Sequence, residues 1–255
     1  MARRGRPAGS TGPVVGRALR LLDAFSAQRP ELSLSEIARR AEVPVATAHR
    51  LMHELCGWGA VERGEDGLYR IGLRLWELGS LAPRGQGLRE LALPFLEDLS
   101  QISRENVQLA IREGSEVIFI ERIAGSGAVP VLTRVGGRFA LTATGVGLVL
   151  LAHAPADVQD EVINGSIERY TSHTVTDPAE LRRMLADVRT NGFSISDGQI
   201  SLDTLSVGAP IYGGHEQVVA AVSLVVRNGG TSPHALVPLV RTSARAISRA
   251  LSSPA

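Results

Sequence analysis

The stretch running from Ser33 to Leu55, SLSEIARRAEVPVATAHRLMHEL, constrains this chain more than any other. Ser33 followed by Glu36 is a capping-box pair, hydroxyl and carboxylate each satisfying a backbone amide at a helix start. Leu34, Ile37, Ala38 and Ala41 then give that helix one apolar stripe, which stops at Glu42-Val43. Pro44 stands where the first turn of a new helix tolerates it. In this next helix Ala48, Leu51, Met52 and Leu55 face a core, while Val45, Ala46, Thr47, His49, Arg50 and His53 take the opposite side. Two short helices, a tight turn, and a polar N-terminal face on the second make a helix-turn-helix pattern. Its second helix has the width that the major groove of B-DNA admits.

The flanks complete a module. Val14, Val15, Ala18, Leu21, Leu22 and Phe25 predict an amphipathic helix that ends before Pro30. Beyond Gly57-Trp58-Gly59, residues 60–71 (AVERGEDGLYRI) read as two short strands around Glu65-Asp66-Gly67, a β-wing. The predicted organisation is a basic disordered arm over 1–12, a winged helix-turn-helix over 13–72, a linker helix over 73–86, and a larger domain over 87–255. Gly85-Gln86-Gly87 is expected to be a hinge, and Pro94 to kink the helix that follows.

Charge is informative only by segment. All 27 basic residues are arginine and the net charge is +1, so arginine abundance alone says nothing about nucleic acid. Residues 1–80 nevertheless carry an arginine excess and the remainder a slight acidic excess. The arm Arg3-Arg4-Gly5-Arg6-Pro7 has the composition of segments that enter narrow A·T minor grooves, Arg4 and Arg6 being the groove-directed pair; a solubilising tail is the alternative. One cysteine, Cys56, excludes an internal disulfide framework and fits a reducing, cytoplasmic compartment. No apolar run approaches the roughly 18 residues of a membrane span.

The N-terminal residues, with LRELALPFLEDLS, VGGRFALTATGVGLVLLAH and NGFSISDGQI…LSVGAPIYGGHEQVVAAVSL further on, resemble the IclR family of bacterial transcription regulators, block by block and in order. The resemblance implies an α+β chain: an N-terminal winged helix-turn-helix, a linker helix, and a C-terminal GAF-like α/β sensor domain. It also implies a dimer or tetramer, double-stranded operator DNA as partner, and a small-molecule effector such as a carboxylate or aromatic acid.

Candidate DNA contacts are Val45, Ala46, Thr47, His49 and Arg50 on the recognition helix, with Arg39 before it and Arg63 and Arg70 in the wing. The competing reading of Arg50 is an ion pair with Glu54, four residues on. Val45-Ala46 stands where the family often has Lys-Ser, which implies more reading of shape or thymine methyl groups. By motif, the resemblance places Ala128, Val131, Thr142, Gly145 and Val146 near the effector, and Ser196, Thr204, Ser206, Ser223 and Val225 beside them. The start of the helix after Thr142 is the expected carboxylate seat, because helix N-termini favour anions.

Strands are predicted at 106–111, 116–123, 129–134, 193–195, 204–211 and 217–226, interleaved with helices at 144–153, 157–163, 179–190 and 233–251. Nothing in the chain has the spacing of a nucleophile elbow, a zinc-protease helix, a phosphate loop or a dinucleotide turn, so an enzyme is not expected and no cofactor is implied. His49, His53 and Cys56 lack an evident fourth ligand, so no metal is expected either. Two other functions compete with a ligand-controlled regulator. One is a constitutive DNA-binding protein whose larger domain only oligomerises; the other is a sensor enzyme with an appended DNA-binding domain.

Overall fold

The computed structural model describes residues 12–252, which divide into two compact units between Ala82 and Pro83. The first unit opens with α1 (Val14–Asp23), followed by a two-residue strand β1 (Glu31–Leu32), α2 (Leu34–Arg40) and α3 (Val45–Trp58). Ser33 caps α2 with both halves of the box present; the Ser33 hydroxyl and backbone hold the Glu36 carboxyl below its ordinary pKa. Between α2 and α3 the chain turns on Glu42, which sits in the left-handed region at φ +53°, while the Val43 amide donates back to the Ala38 carbonyl at 2.9 Å. Gly59, also left-handed, ends α3.

The wing is β2 (Val61–Arg63) and β3 (Tyr69–Ile71), and β1 adds to the far edge of β3, pairing Leu32 with Tyr69. Leu21, Leu32, Ile37, Ala48, Met52 and Tyr69 meet in one small core beneath these elements. A short α4 (Leu73–Gly79) closes the unit. Gly85-Gln86-Gly87 is not an open hinge: Pro83–Gly87 forms a single π-helical turn running directly into α5 (Leu88–Ser103), which continues as helix through Pro94.

The second unit is one six-stranded antiparallel sheet in the order β6-β5-β4-β9-β8-β7. Its strands are β4 (Asn106–Glu113), β5 (Glu116–Ala124), β6 (Arg138–Ala140), β7 (Ser194–Asp197), β8 (Thr204–Tyr212) and β9 (Val218–Arg227). The helices are α5, α6 (Gly145–Ala152), α7 (Ala156–Asn164), α8 (Pro178–Asn191) and α9 (Pro233–Ser252). Residues 129–134 differ from expectation. They form no strand: Pro130 lacks an amide donor, and the segment is held by side chains instead. Asn106 Nδ2 donates to the Val129 carbonyl at 2.8 Å, and Gln108 Nε2 donates to Thr133 Oγ1.

The two-residue period of the strands sorts their side chains onto two faces. Val107, Leu109, Val207 and Leu224 point into a core shared with α5 and α9. Ala110, Val117, Phe119 and Ala221 point the other way, under α6 and α8. Every residue of α6 is buried, which explains why its sequence carries no amphipathic stripe.

Candidate functional site

In the first unit, the exposed side of α3 carries Val45, Ala46, His49 and Arg50, with Thr47 half-buried beside them. Ala48, Leu51 and Met52 lock the opposite side into the core, so the exposed residues are presented by a fixed helix. No hydrogen bond or ion pair joins Arg50 to Glu54 among the described residues. The other candidate arginines are less free. Arg70 reaches Glu31 at 3.4 Å, and Arg63 lies 5.5 Å from the Tyr69 ring centroid. Arg40, the neighbour of exposed Arg39, donates to the Ala24 carbonyl at 2.7 Å and ties α2 to the end of α1. Arg4 and Arg6 lie outside the described residues.

The second unit holds a cavity of about 820 Å³, within the range of small-molecule sites. It opens where the face of the sheet under α6 passes beyond that helix. Five of the residues singled out from sequence line it: Val131, Ser196, Thr204, Ser206 and Val225. The other five do not. Val146 is in the core of α6; Thr142 is buried behind the wall with its hydroxyl unpartnered; Ala128 precedes the lining residue Val129. Ser223 stands behind Gln108, its hydroxyl 3.5 Å from the amide oxygen.

Gly145 acts through its backbone. A Cβ there would collide with Ser206 Oγ, and a Cβ on Gly208 would meet the Gly145 carbonyl group at 2.8 Å. The absence of both side chains lets the start of α6 lie directly on β8, separating packed core from cavity. Thr144 caps α6 by accepting from the Gly147 amide, while Ser194 and Ser196 donate to the Gly145 and Ala143 carbonyls at 2.7 and 2.6 Å.

Sequence reasoning missed Gln108, Thr133, Tyr170, Thr171, Asp203 and Arg227, all in the wall. Tyr170 and the 200–203 segment lie in irregular chain, where no periodicity marks an inward side. Gln108 and Arg227 were findable: both alternate onto the same sheet face as Ser206, through the Gln108–Ser223 and Thr204–Arg227 register. The phenol of Tyr170 donates to Glu168 at 2.8 Å, and burial with that neighbouring carboxylate pushes its pKa up to about 12. Among the described residues no group of three or more His, Cys, Asp or Glu side chains converges as a metal site would require, and no helix is long and apolar enough to cross a membrane.

A helix-turn-helix with a β-wing, and a separate sheet unit enclosing a ligand-sized cavity, define the class of transcription regulators that join DNA reading to sensing. Family comparison is specific. Residues 14–65 match the IclR helix-turn-helix domain, and residues 82–249 match the C-terminal domain of bacterial IclR transcriptional regulators. The chain belongs to the IclR family of bacterial transcription regulators.

Among its relatives is the HTH-type transcriptional regulator KipR of Bacillus subtilis, 30% identical over 82% of this chain and 84% of that protein. The transcriptional repressor IclR of Escherichia coli is 29% identical over 88% and 85%. A crystal structure of an IclR homologue from Microbacterium hydrocarbonoxydans, complexed with 4-hydroxybenzoate, superposes with a TM-score of 0.88 at 39% identity, covering 94% of this chain and 99% of that one.

Proposed function

We propose that this regulator reads operator DNA through the exposed side of α3 and the wing, and that a small organic acid in the cavity controls that binding. The observation that carries the DNA half is the free guanidinium of Arg50, beside Thr47 on a helix whose other side is locked in the core. Arg50 reaches a guanine edge or a phosphate, Thr47 a phosphate or a thymine methyl, and Arg39 and Arg63 the backbone. Val45 and Ala46 supply apolar contact in place of hydrogen bonds, so shape and thymine methyl groups carry part of the specificity. Arg4 and Arg6 extend this contact into an adjoining minor groove.

The sensing half is supported by the 820 Å³ cavity and by the aromatic acid bound to the Microbacterium homologue. Two copies of the chain place two recognition helices on successive major grooves of a near-palindromic site. The effector changes operator affinity only by binding two arrangements of the protein unequally. In this reading the chain performs no catalysis, binds no cofactor and works in the cytoplasm.

The test is a fluorescence anisotropy titration on the intergenic DNA upstream of the chain's own gene, with excess nonspecific competitor and a salt series. Binding that resists competitor, weakens with salt and falls about tenfold or more in Arg50→Ala supports the assignment. Equal loss to competitor in both proteins overturns it for that DNA. Adding 4-hydroxybenzoate at fixed operator occupancy tests effector control.

A further inference from the structure

The end of the recognition helix and the start of the linker helix meet at two glycines. Gly59 ends α3 in the left-handed region at φ +84°, and Gly72 leads into α4 from extended backbone. The Gly72 amide donates to the Ala60 carbonyl at 2.9 Å, one step beyond the Val61–Ile71 pairing of the wing. A Cβ on Gly72 would run into the Gly59 carbonyl oxygen and lie 3.1 Å from the Ala60 carbonyl carbon, so this approach requires glycine. Gly72 has no side chain to cap α4, and Glu62 of β2 acts in its place, its Oε1 accepting from the Leu73 amide at 3.4 Å.

Side chains close the same junction. The Arg74 guanidinium lies 5.6 Å from the ring centroid of Trp58, the last residue of α3, and its Nη1 donates to Glu77 Oε2 at 2.6 Å. No residue of α4 is buried, so no apolar face holds its angle. Among the described residues, the hydrogen bonds and ring contacts joining residues 72–82 to the rest of the first unit all run to residues 58–62. Beyond Ala82 the chain is tied to the second unit instead. Arg84 Nη1 and Nη2 donate to Glu113 and to the Arg112 carbonyl, each at 2.9 Å, and Arg89 Nε meets the buried Glu121 at 2.6 Å. Residues 80–82, hydrogen-bonded only to α4, lie between two anchored ends.

We infer that α4 is a lever fixed to the recognition helix, with Gly72, Glu62 and the Arg74–Trp58 pair as its positioning residues, and that the compliant joint of the chain is residues 80–82. A turn applied to the far end of α4 turns α3 and the wing by the same angle, because all three meet at the Gly59–Gly72 contact. This rests on α3 being the DNA-reading helix, and it names what carries a movement of the chain to that helix. Control of operator affinity then needs no rearrangement inside the first unit, only a shift in the setting of the joint.

Spin-label distances test the lever without DNA. The full chain carries Cys56→Ala and is diluted into unlabelled chain, so that only pairs within one copy are read. Labels on the exposed positions Glu54→Cys of α3 and Leu78→Cys of α4 should give one narrow distance that 4-hydroxybenzoate leaves unchanged. Labels at Leu78→Cys and Asp98→Cys, which span residues 80–82, should give a broader distribution. A broad or split distance in the first pair overturns the lever, and a first pair broader than the second overturns the placement of the joint. Gly72→Ala and Gly79→Ala add the same methyl group, the second into open space. In anisotropy on the upstream intergenic duplex, Gly72→Ala should weaken binding about tenfold and Gly79→Ala by less than about twofold, with the first-pair distance moving only in Gly72→Ala. Arg74→Ala should broaden that distance and Arg74→Lys restore it, a readout that holds if Gly72→Ala melts early. Equal behaviour of the two glycine variants overturns the role of Gly72. Failure of the wild-type chain to bind the duplex counts against the reading of α3 there, while the label distances still decide the lever.

Discussion

The two faces of the six-stranded sheet share the same strands yet are built to opposite ends. On one face, Val107, Leu109, Val207 and Leu224 are covered by α5 and α9 along the central strands. On the other, Phe119, Ala110 and Ala221 lie under α6, but the continuation of the same face is Gln108, Ser206, Ser196 and Thr204, around open volume. The difference teaches where the stability of this unit resides. Adjacent residues on one strand alternate between holding the fold and shaping a void, so sequence neighbours have unrelated roles.

The sharpest way to break this comparison is to truncate two such neighbours. Leu224→Ala on the closed face should cost about 3 kcal/mol, because the surrounding core cannot collapse into the space. Val225→Ala should cost about 1 kcal/mol or less, since it enlarges a void that already exists. Urea denaturation of both variants checks the contrast, and equal losses would remove it.

Next in size is the seam between packed core and cavity. Gly208→Ala drives a methyl group against the backbone of Gly145 and should cost about 1–3 kcal/mol, with ligand affinity falling too as α6 shifts. Calorimetric melting with and without 4-hydroxybenzoate reads both effects. A smaller effect is expected for Thr144→Ala, which removes the cap on α6 and should lower stability by about 1 kcal/mol in thermal denaturation.

The smallest effect is a pH dependence confined to the open face. The Tyr170 phenol has a folded pKa raised to about 12, above the ordinary value of about 10. Its neutral form is thus favoured in the native state. The contribution is complete below pH 10 and disappears as pH rises from there through 12. Ultraviolet titration of phenolate in the wild type and Tyr170→Phe should show one late-titrating group lost in the variant.

Much of the first unit was legible because its signals are local. The Ser33–Glu36 box, the stripe on α3 and the turn before Tyr69 each declare themselves within a few residues. The two-residue β1 carries no such signal; only its pairing with β3 makes it a strand. In the second unit β4, β5, β7, β8 and β9 lie where the sequence pattern puts strands, whereas β6 (Arg138–Ala140) was not expected and the 129–134 segment is no strand. Its apolar alternation reads as a strand, while Pro130 and the amides of Asn106 and Gln108 decide otherwise. Resemblance brought Ser196, Thr204 and Ser206 into view, whereas Arg227 needed only the two-residue period from Val225 carried one residue past the expected strand end. Val146 points into the core, and Ser223 shares the sheet face of Gln108 and Val225 but pairs with Gly208 where α6 lies on that face; a motif match locates a segment and not how far the cavity extends along it.

The anchoring of residues 129–133 by Asn106 and Gln108 has a consequence for how such a sensor diversifies. This piece of the wall contributes nothing to the β-ladder, so its residues can change without altering any strand register. The shape of the cavity is therefore free to drift in one short segment while the sheet and its closed core stay as they are. Under the proposed sensing role, selection can retune what this regulator answers to at little risk to whether it folds.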